Sequence, residues 1–186
     1  PELFYYYCDK YGMIVFQDMV NSGKYSFLID TVLPTAGIRH GISHRASEIR
    51  RITFETDSEM TVRLLYNHPS VVYYTIFNEG WGQFDADKYY GFCKQLDGTR
   101  VYDTTSGWLK QTLSDVDSEH VYFKPIKLKN DPERPLVLSE FGGYSCKIAG
   151  HSFNLDKTYG YKFFERTDEF MSALEALYRD EIIPAI

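Results

Sequence analysis

Two continuous apolar runs, each ending in a glutamate, constrain the fold of this chain more than any other feature. SVVYYTIFNE covers residues 70–79 and RPLVLSEFGG covers residues 134–143. Strands that are buried on both faces of a parallel sheet have such continuous apolar runs. Ligands bind beyond the carboxyl ends of parallel strands, so Glu79 and Glu140 are expected on one rim of the sheet.

Three further strand candidates and four helix candidates give the chain an alternating order. The strands are predicted at residues 12–18, 99–105 and 119–123. Apolar residues at helical spacing predict helices at residues 2–10, 47–66, 86–96 and 168–182. Alternating strands and helices are typical of βαβ units, so the predicted fold class is α/β with a parallel sheet.

Turn-forming residues indicate where these elements begin and end. Gly12 can end the first helix, and Asp85 can cap the start of the third. Residues 19–46, which contain Gly23, Pro34, Gly37 and Gly41, are expected to form a long loop on the rim of the two glutamates. Asn21, near the start of this segment, could contact a ligand or hold the loop.

Length and charge exclude several classes of protein. The 186 residues are enough for a sizeable core, and we expect residues 1–186 to form a single domain. A net charge of −6 argues against a nucleic-acid surface, which usually needs a basic patch. No apolar stretch reaches about 18 residues, so no membrane span is predicted. The sequence does not indicate whether the protein is cytoplasmic or exported, or its oligomeric state.

Cysteine and histidine spacing gives no metal site. Cys8, Cys93 and Cys146 are scattered without a CxxC pair and are predicted to be reduced and structural, with a cysteine nucleophile as the alternative. His40 and His44 are four residues apart, but Gly41 argues against the helix that would align them. We therefore expect no metal and no cofactor.

Two strand-end carboxylates on one rim suggest acid–base or nucleophilic chemistry. A glycosidase needs two carboxyl groups beside the scissile bond, one to protonate the leaving oxygen and one to attack the sugar or activate water. The alternative is structural, because glutamates at strand ends also form ion pairs. The residues alone leave both interpretations of Glu79 and Glu140 open.

Several segments, taken in order, resemble glycoside hydrolase family 2, the β-galactosidase and β-glucuronidase family. HPSVVYYTIFNEGWG is similar to its acid/base segment and RPLVLSEFGG to its nucleophile segment. CDKYGMIVFQDM resembles the preceding strand, and DTTSGW and EHVYF fit the strands between. The resemblance spans nearly the whole chain, and the paired signatures are more specific than Asn-Glu alone.

The resemblance implies a (β/α)₈ TIM barrel and a retaining mechanism. Glu79 would be the general acid/base on strand four, and Glu140 the nucleophile on strand seven. Asn78 would hydrogen-bond the sugar 2-hydroxyl, since an amide can both donate and accept.

Four other residues are candidate substrate contacts. Trp81 and Trp108 follow strand ends, where they could stack on a sugar or simply pack the loops. Tyr122 lies near the position where the family has a tyrosine that contacts the nucleophile. His120 is two residues earlier and is expected on the same side of its strand.

The chain departs from the family in its strand count. A full barrel has eight strands in about 250 residues, whereas this sequence supplies only the candidates for strands three to seven. We therefore interpret it as a partial barrel from a larger enzyme, with other domains of the parent chain as partners and no activity expected from the fragment. Alternatives are a non-catalytic carbohydrate-binding module on a degenerate barrel, or another barrel glycosidase such as a cellulase or mannanase.

Overall fold

The structure, a computed structural model, describes residues 1–21, 23–129 and 132–185. The chain divides into two compact units, which are described separately. Unit 1 consists of Pro1–Ser118 and Asp131–Val137, and unit 2 of Glu119–Asn130 and Leu138–Ile186. That residues 1–186 form a single domain stays a prediction.

A three-stranded parallel sheet is the centre of unit 1. Its strands are β1 (Val15–Asp18), β2 (Val71–Phe77) and β3 (Val101–Thr105), in the order β1-β2-β3. Every residue of β2 except Val72 is buried. The prediction of a strand covered on both faces is therefore confirmed for β2.

Helices pack against this sheet mainly through aromatic rings. They are α1 (Glu2–Tyr11), α3 (Glu48–Leu65) and α4 (Ala86–Leu96). A further single turn, α2 (Leu33–Thr35), precedes α3 in the chain. Phe54 of α3 stacks on Phe77 of β2 with ring centroids 4.9 Å apart, and Phe84 and Tyr89 meet both rings edge-on. These four side chains are buried and join the sheet to the helices in one core.

The helix ends agree with the predictions except at one residue. Gly12 follows α1 in the left-handed conformation, with φ at 67°. Ser47 caps α3 by accepting a hydrogen bond from the backbone N–H of Arg50. Asp85 does precede α4, but its φ of 43° is left-handed and its carboxylate pairs with Arg51. The prediction that the Asp85 side chain caps α4 is therefore wrong.

Four further strands and one further helix lie outside this sheet. Strands β4 (Asp117–Val121) and β5 (Leu136–Phe141) pair with each other, as do β6 (Tyr144–Cys146) and β7 (Lys162–Phe164). Helix α5 (Thr167–Leu177) follows in unit 2 and continues as a π-helical turn, Tyr178–Ile182. In the part of the chain described, the strands form three separate sheets, and no closed barrel is present.

No helix among the described residues has the length and apolarity needed to cross a membrane.

The aromatic core should dominate the stability of unit 1. We expect Phe54→Ala to lower the free energy of unfolding by about 3–5 kcal/mol, because it leaves a cavity beside Phe77. Ile49→Ala, at a 78% exposed position of the same helix, should cost less than about 0.5 kcal/mol. Urea unfolding followed by circular dichroism measures both values. Equal losses in the two variants would contradict the assignment of the core.

Candidate active site

The end of β2 places Asn78 and Glu79 in a 3₁₀ turn, Asn78–Gly80. Glu79 is 3% exposed and has φ at 52°, a left-handed conformation that costs a non-glycine residue about 1–2 kcal/mol. Strained residues of this kind cluster at functional sites, where the surrounding structure holds them in place. The backbone conformation and the strand-end sequence pattern therefore both indicate Glu79 as a candidate functional residue.

Ser106 connects the ends of β2 and β3. Its hydroxyl accepts a hydrogen bond from the Glu79 N–H at 3.0 Å and donates one to Asn78 Oδ1 at 2.8 Å. Its own backbone N–H donates to the carbonyl of Phe77 at 3.2 Å. Ser106 thus contacts three consecutive residues. It was not among the predicted site residues, although it lies in the DTTSGW segment.

The chain turns sharply after Glu79 because two glycines allow it. Gly80 has φ at 68°, and a Cβ there would lie 2.7 Å from the Leu109 side chain. Gly82 has φ at 61°, and a Cβ there would lie 2.8 Å from the Cα of Gly23. Side chains are excluded at both positions by backbone conformation and by space. The turn leaves Trp81 between the two glycines.

Trp81 and Trp108 lie together in unit 1. Their ring centroids are 6.4 Å apart at an interplanar angle of 77°, and the ring of Tyr25 lies 5.0 Å from that of Trp81. Both tryptophans are partly buried, and among the described residues the indole Nε1 of Trp81 has no hydrogen-bond partner. We call Tyr25, Trp81 and Trp108 the aromatic cluster. That the tryptophans stack on a sugar stays a prediction.

Several side chains of segment 19–46 contact this turn. Fully buried Asp30 accepts hydrogen bonds from the backbone N–H groups of Ser26, at 2.7 Å, and Gly82, at 3.4 Å. Its Oδ1 also lies 2.8 Å from Nε2 of His44. The segment is not only loop, because it includes a π-helical turn, Phe27–Val32. That His40 and His44 bind no metal stays a prediction.

Two more side chains of the segment hold backbone groups near the tryptophans. Asn21 donates from Nδ2 to the carbonyl of Trp81 at 2.6 Å and accepts from Arg50 at 3.0 Å. Arg39 donates from Nε to the carbonyl of Trp108 at 2.8 Å. The contacts of Asn21 support its loop-holding role over its role as a ligand contact.

Unit 2 brings His120, Tyr122 and Glu140 together. The Tyr122 hydroxyl donates to Glu140 Oε2 and lies 3.3 Å from His120 Nδ1. His120 Nε2 is 3.7 Å from Glu140 Oε1. The His120 side chain is buried, whereas that of Glu140 is 45% exposed. β4 ends at Val121, so Tyr122 lies just beyond the strand that was predicted to include it, although its hydroxyl and the His120 ring both reach Glu140. The roles of all three residues stay predictions.

Tyr161 packs against Tyr122 and was not predicted from the sequence. Its ring centroid is 4.1 Å from that of Tyr122, and its backbone N–H donates to the carbonyl of Gly143 at 2.8 Å. A Cβ on Gly143 would lie 2.3 Å from the Tyr161 ring. The second glycine after Glu140 therefore makes room for the tyrosine that supports Tyr122.

The buried thiol and phenol groups are poor candidates for chemistry at neutral pH. Burial raises the pKa of the Cys93 thiol to about 12, which argues against a Cys93 nucleophile because the thiolate is the reactive form. Burial, followed by the neighbouring Asp103 carboxylate, raises the pKa of Tyr73 far above its ordinary value. The Tyr73 hydroxyl donates a hydrogen bond to Asp103 Oδ2 at 2.7 Å. The described cysteines are all free thiols, as predicted.

The contact between Gly82 and Gly23 can be tested by unfolding. We expect Gly82→Ala to lower the free energy of unfolding by about 2–5 kcal/mol, because a left-handed alanine and a backbone clash add together. Gly41→Ala is the matched control, since Gly41 has φ at 70° but no atom near its Cβ, and should cost about 1–2 kcal/mol. Urea unfolding measures both, and equal losses would show that the close approach is unimportant.

Comparison with known proteins identifies the family of this chain. The family model for glycosyl hydrolases family 2, TIM barrel domain, matches residues 1–167. A beta-galactosidase from Priestia megaterium (strain DSM 319 / IMG 1521) is 24% identical over 177 residues, which cover 90% of this chain and 16% of that protein. The chain thus spans a small part of the relative that it matches. Since the family model covers most of its residues, this chain belongs to glycosyl hydrolase family 2 and has a fold derived from the TIM barrel.

Proposed function

We propose that the chain is the part of a retaining β-glycosidase that carries its two catalytic carboxylates. Family membership supports hydrolysis of glycosidic bonds. The observation that carries the catalytic assignment is the placement of Glu79, at the end of β2, in a strained and hydrogen-bonded conformation. β-Galactosides and β-glucuronides are the proposed substrates of the parent enzyme.

The proposed reaction has two displacements. A Glu140 oxygen attacks the anomeric carbon while Glu79 donates its proton to the glycosidic oxygen, so the bond to the leaving group breaks and an ester to Glu140 forms. Glu79, now ionised, then takes a proton from water, whose oxygen attacks the same carbon and breaks the ester bond. Two inversions give net retention, and Glu140 returns ionised and Glu79 protonated.

Neighbouring groups would support these roles. The Tyr122 hydroxyl donates to Glu140 Oε2, which orients the carboxylate and stabilises its charge before attack. Asn78 would bind the sugar 2-hydroxyl, a contact that strengthens in the transition state. Trp81, Trp108 and His120 are further proposed substrate contacts. In this assignment, β1 to β5 correspond to strands three to seven of the barrel.

Azide can separate the roles of the two glutamates in the full-length parent. Glu140→Ala should lower kcat by at least about 10⁴-fold, since no nucleophile remains. Azide should restore turnover of activated aryl β-glycosides and give the α-glycosyl azide, because one displacement inverts the centre. Glu79→Ala should lower kcat by about 10²–10⁴-fold for substrates with poor leaving groups, because the general acid is missing. With azide it should give the β-glycosyl azide, since azide then attacks the glycosyl–enzyme ester.

Product stereochemistry, read by nuclear magnetic resonance, is the deciding measurement. Glu175→Gln, on the exposed side of α5, is the control and should behave as the wild type. If both alanine variants keep full activity, the proposed function is wrong. If the two azide products are exchanged, the roles of Glu79 and Glu140 are exchanged.

The separation of the carboxyl groups in a crystal structure of the parent is a second test. A retaining mechanism requires the Glu79 and Glu140 carboxyl groups to be about 5–5.5 Å apart. A separation of about 6.5–9.5 Å would leave room for water and indicate an inverting enzyme.

A further inference from the structure

The hydroxyl of Ser106 has a single proton, and its destination can be deduced. Among the described residues it has two side-chain hydrogen bonds, with the Glu79 N–H and with the Asn78 amide. A backbone N–H can only donate, so the hydroxyl oxygen must accept from Glu79. The proton of Ser106 is then available only for Asn78.

This proton determines which end of the Asn78 amide faces Ser106. A hydroxyl proton needs an acceptor, and the amide offers one at its oxygen but not at its nitrogen. If the amide were reversed, its NH₂ group and the Glu79 N–H would both donate to the same oxygen. The proton of Ser106, which is 2% exposed, would then be left without an acceptor at a cost in free energy.

We propose that Ser106 is a positioning residue that orients the Asn78 amide, so that Asn78 meets the substrate as a hydrogen-bond donor. With Oδ1 bound to Ser106, the Nδ2 hydrogens of exposed Asn78 are the groups left for a ligand. The inference rests on the proposed function and extends it. It assigns the sugar 2-hydroxyl oxygen as the acceptor in its contact with Asn78, which leaves the hydroxyl's own proton for another group.

The remaining contacts of Ser106 are with the residues directly before and after Asn78. Its backbone N–H binds the carbonyl of Phe77, and its hydroxyl binds the N–H of Glu79. The residues before and after Asn78 are therefore attached to the same serine at the end of β3. Loss of the hydroxyl removes the orientation of the amide and one of these two attachments, but leaves the Phe77 contact.

The test uses the full-length parent, with 4-nitrophenyl β-galactoside or β-glucuronide, whichever it hydrolyses, and the matching 2-deoxy substrate. Ser106→Ala should lower kcat/KM for the 2-hydroxy substrate by about 10- to 100-fold, because the amide is no longer held. For the 2-deoxy substrate, kcat/KM should fall by only about a tenth of that factor, since this substrate cannot form the Asn78 contact. The preference for the 2-hydroxyl therefore falls about tenfold.

Ser118→Ala is a matched control. Ser118 is also 2% exposed, and its hydroxyl also accepts from a backbone N–H, that of Gly107 at 3.0 Å. Ser118→Ala therefore removes a buried serine hydroxyl from the same unit, as Ser106→Ala does, but this hydroxyl does not contact Asn78. The preference for the 2-hydroxyl should then stay at the wild-type value. A purely structural role of Ser106 would lower kcat/KM equally for both substrates.

Asn78→Asp keeps the inference testable if Ser106→Ala fails to fold. A carboxylate still accepts the Ser106 proton but presents an oxygen instead of a donor. It can then bind the 2-hydroxyl only through the hydroxyl's own proton, which would have to leave its other partner, so the preference for the 2-hydroxyl should fall. The double variant should lose no more preference than either single variant, because both act through one contact. Wild-type preference in a folded Ser106→Ala or Asn78→Asp enzyme would overturn the inference.

The glutamate variants distinguish this failure from that of the proposed function. If Glu79→Ala and Glu140→Ala are inactive while Ser106→Ala keeps its preference for the 2-hydroxyl, only the role of Ser106 is refuted. If the parent hydrolyses no glycoside, the proposed function and this inference are both refuted.

Discussion

The position of β2 between two parallel partners is the constraint on which the rest of unit 1 depends. The strand is hydrogen-bonded on both edges and covered on both faces, so the point at which it ends is determined by the core. The chain leaves through a turn that starts at Asn78 and requires left-handed backbone at Glu79, Gly80 and Gly82. Strain at a glutamate persists only where its surroundings hold it. Here Ser106, just after β3, binds the Glu79 N–H, and segment 19–46 binds the following Trp81 and Gly82.

Much of this could be predicted because it depends on neighbours in the sequence. The apolar run of β2 is long enough to identify a covered strand, and the apolar spacing of α3 and α4 places both helices within one residue of the observed ends. The capping role of Asp85 could not be excluded from its neighbours alone, because one of the two reasons for its failure is Arg51, 34 positions away. The Asp85 backbone is left-handed, and the Arg51 guanidinium binds the carboxylate that would have capped α4.

The residues that were missed act through contacts between distant parts of the chain. Ser106 is 27 positions from Glu79, and a serine after a strand is too common to stand out. Buried Asp30 has the same explanation, because its partner Gly82 is 52 positions away. Strands β6 and β7 have three residues each, too few for an apolar pattern to show. The residues to which we assign the chemistry could be proposed from the sequence, but the hydrogen bonds that orient them could not.

Segment 19–46 is attached to the ends of two different strands. Asp30 and Asn21 bind the turn after β2, and Arg39 binds the carbonyl of Trp108 after β3. Insertions in surface loops are usually tolerated, since closing a somewhat longer loop costs little entropy. Here the connection between Asn21 and Arg39 acts as a spacer of defined length. An insertion or deletion in this stretch would displace the contacts at both tryptophans, so we expect it to be tolerated less well than in an ordinary surface loop.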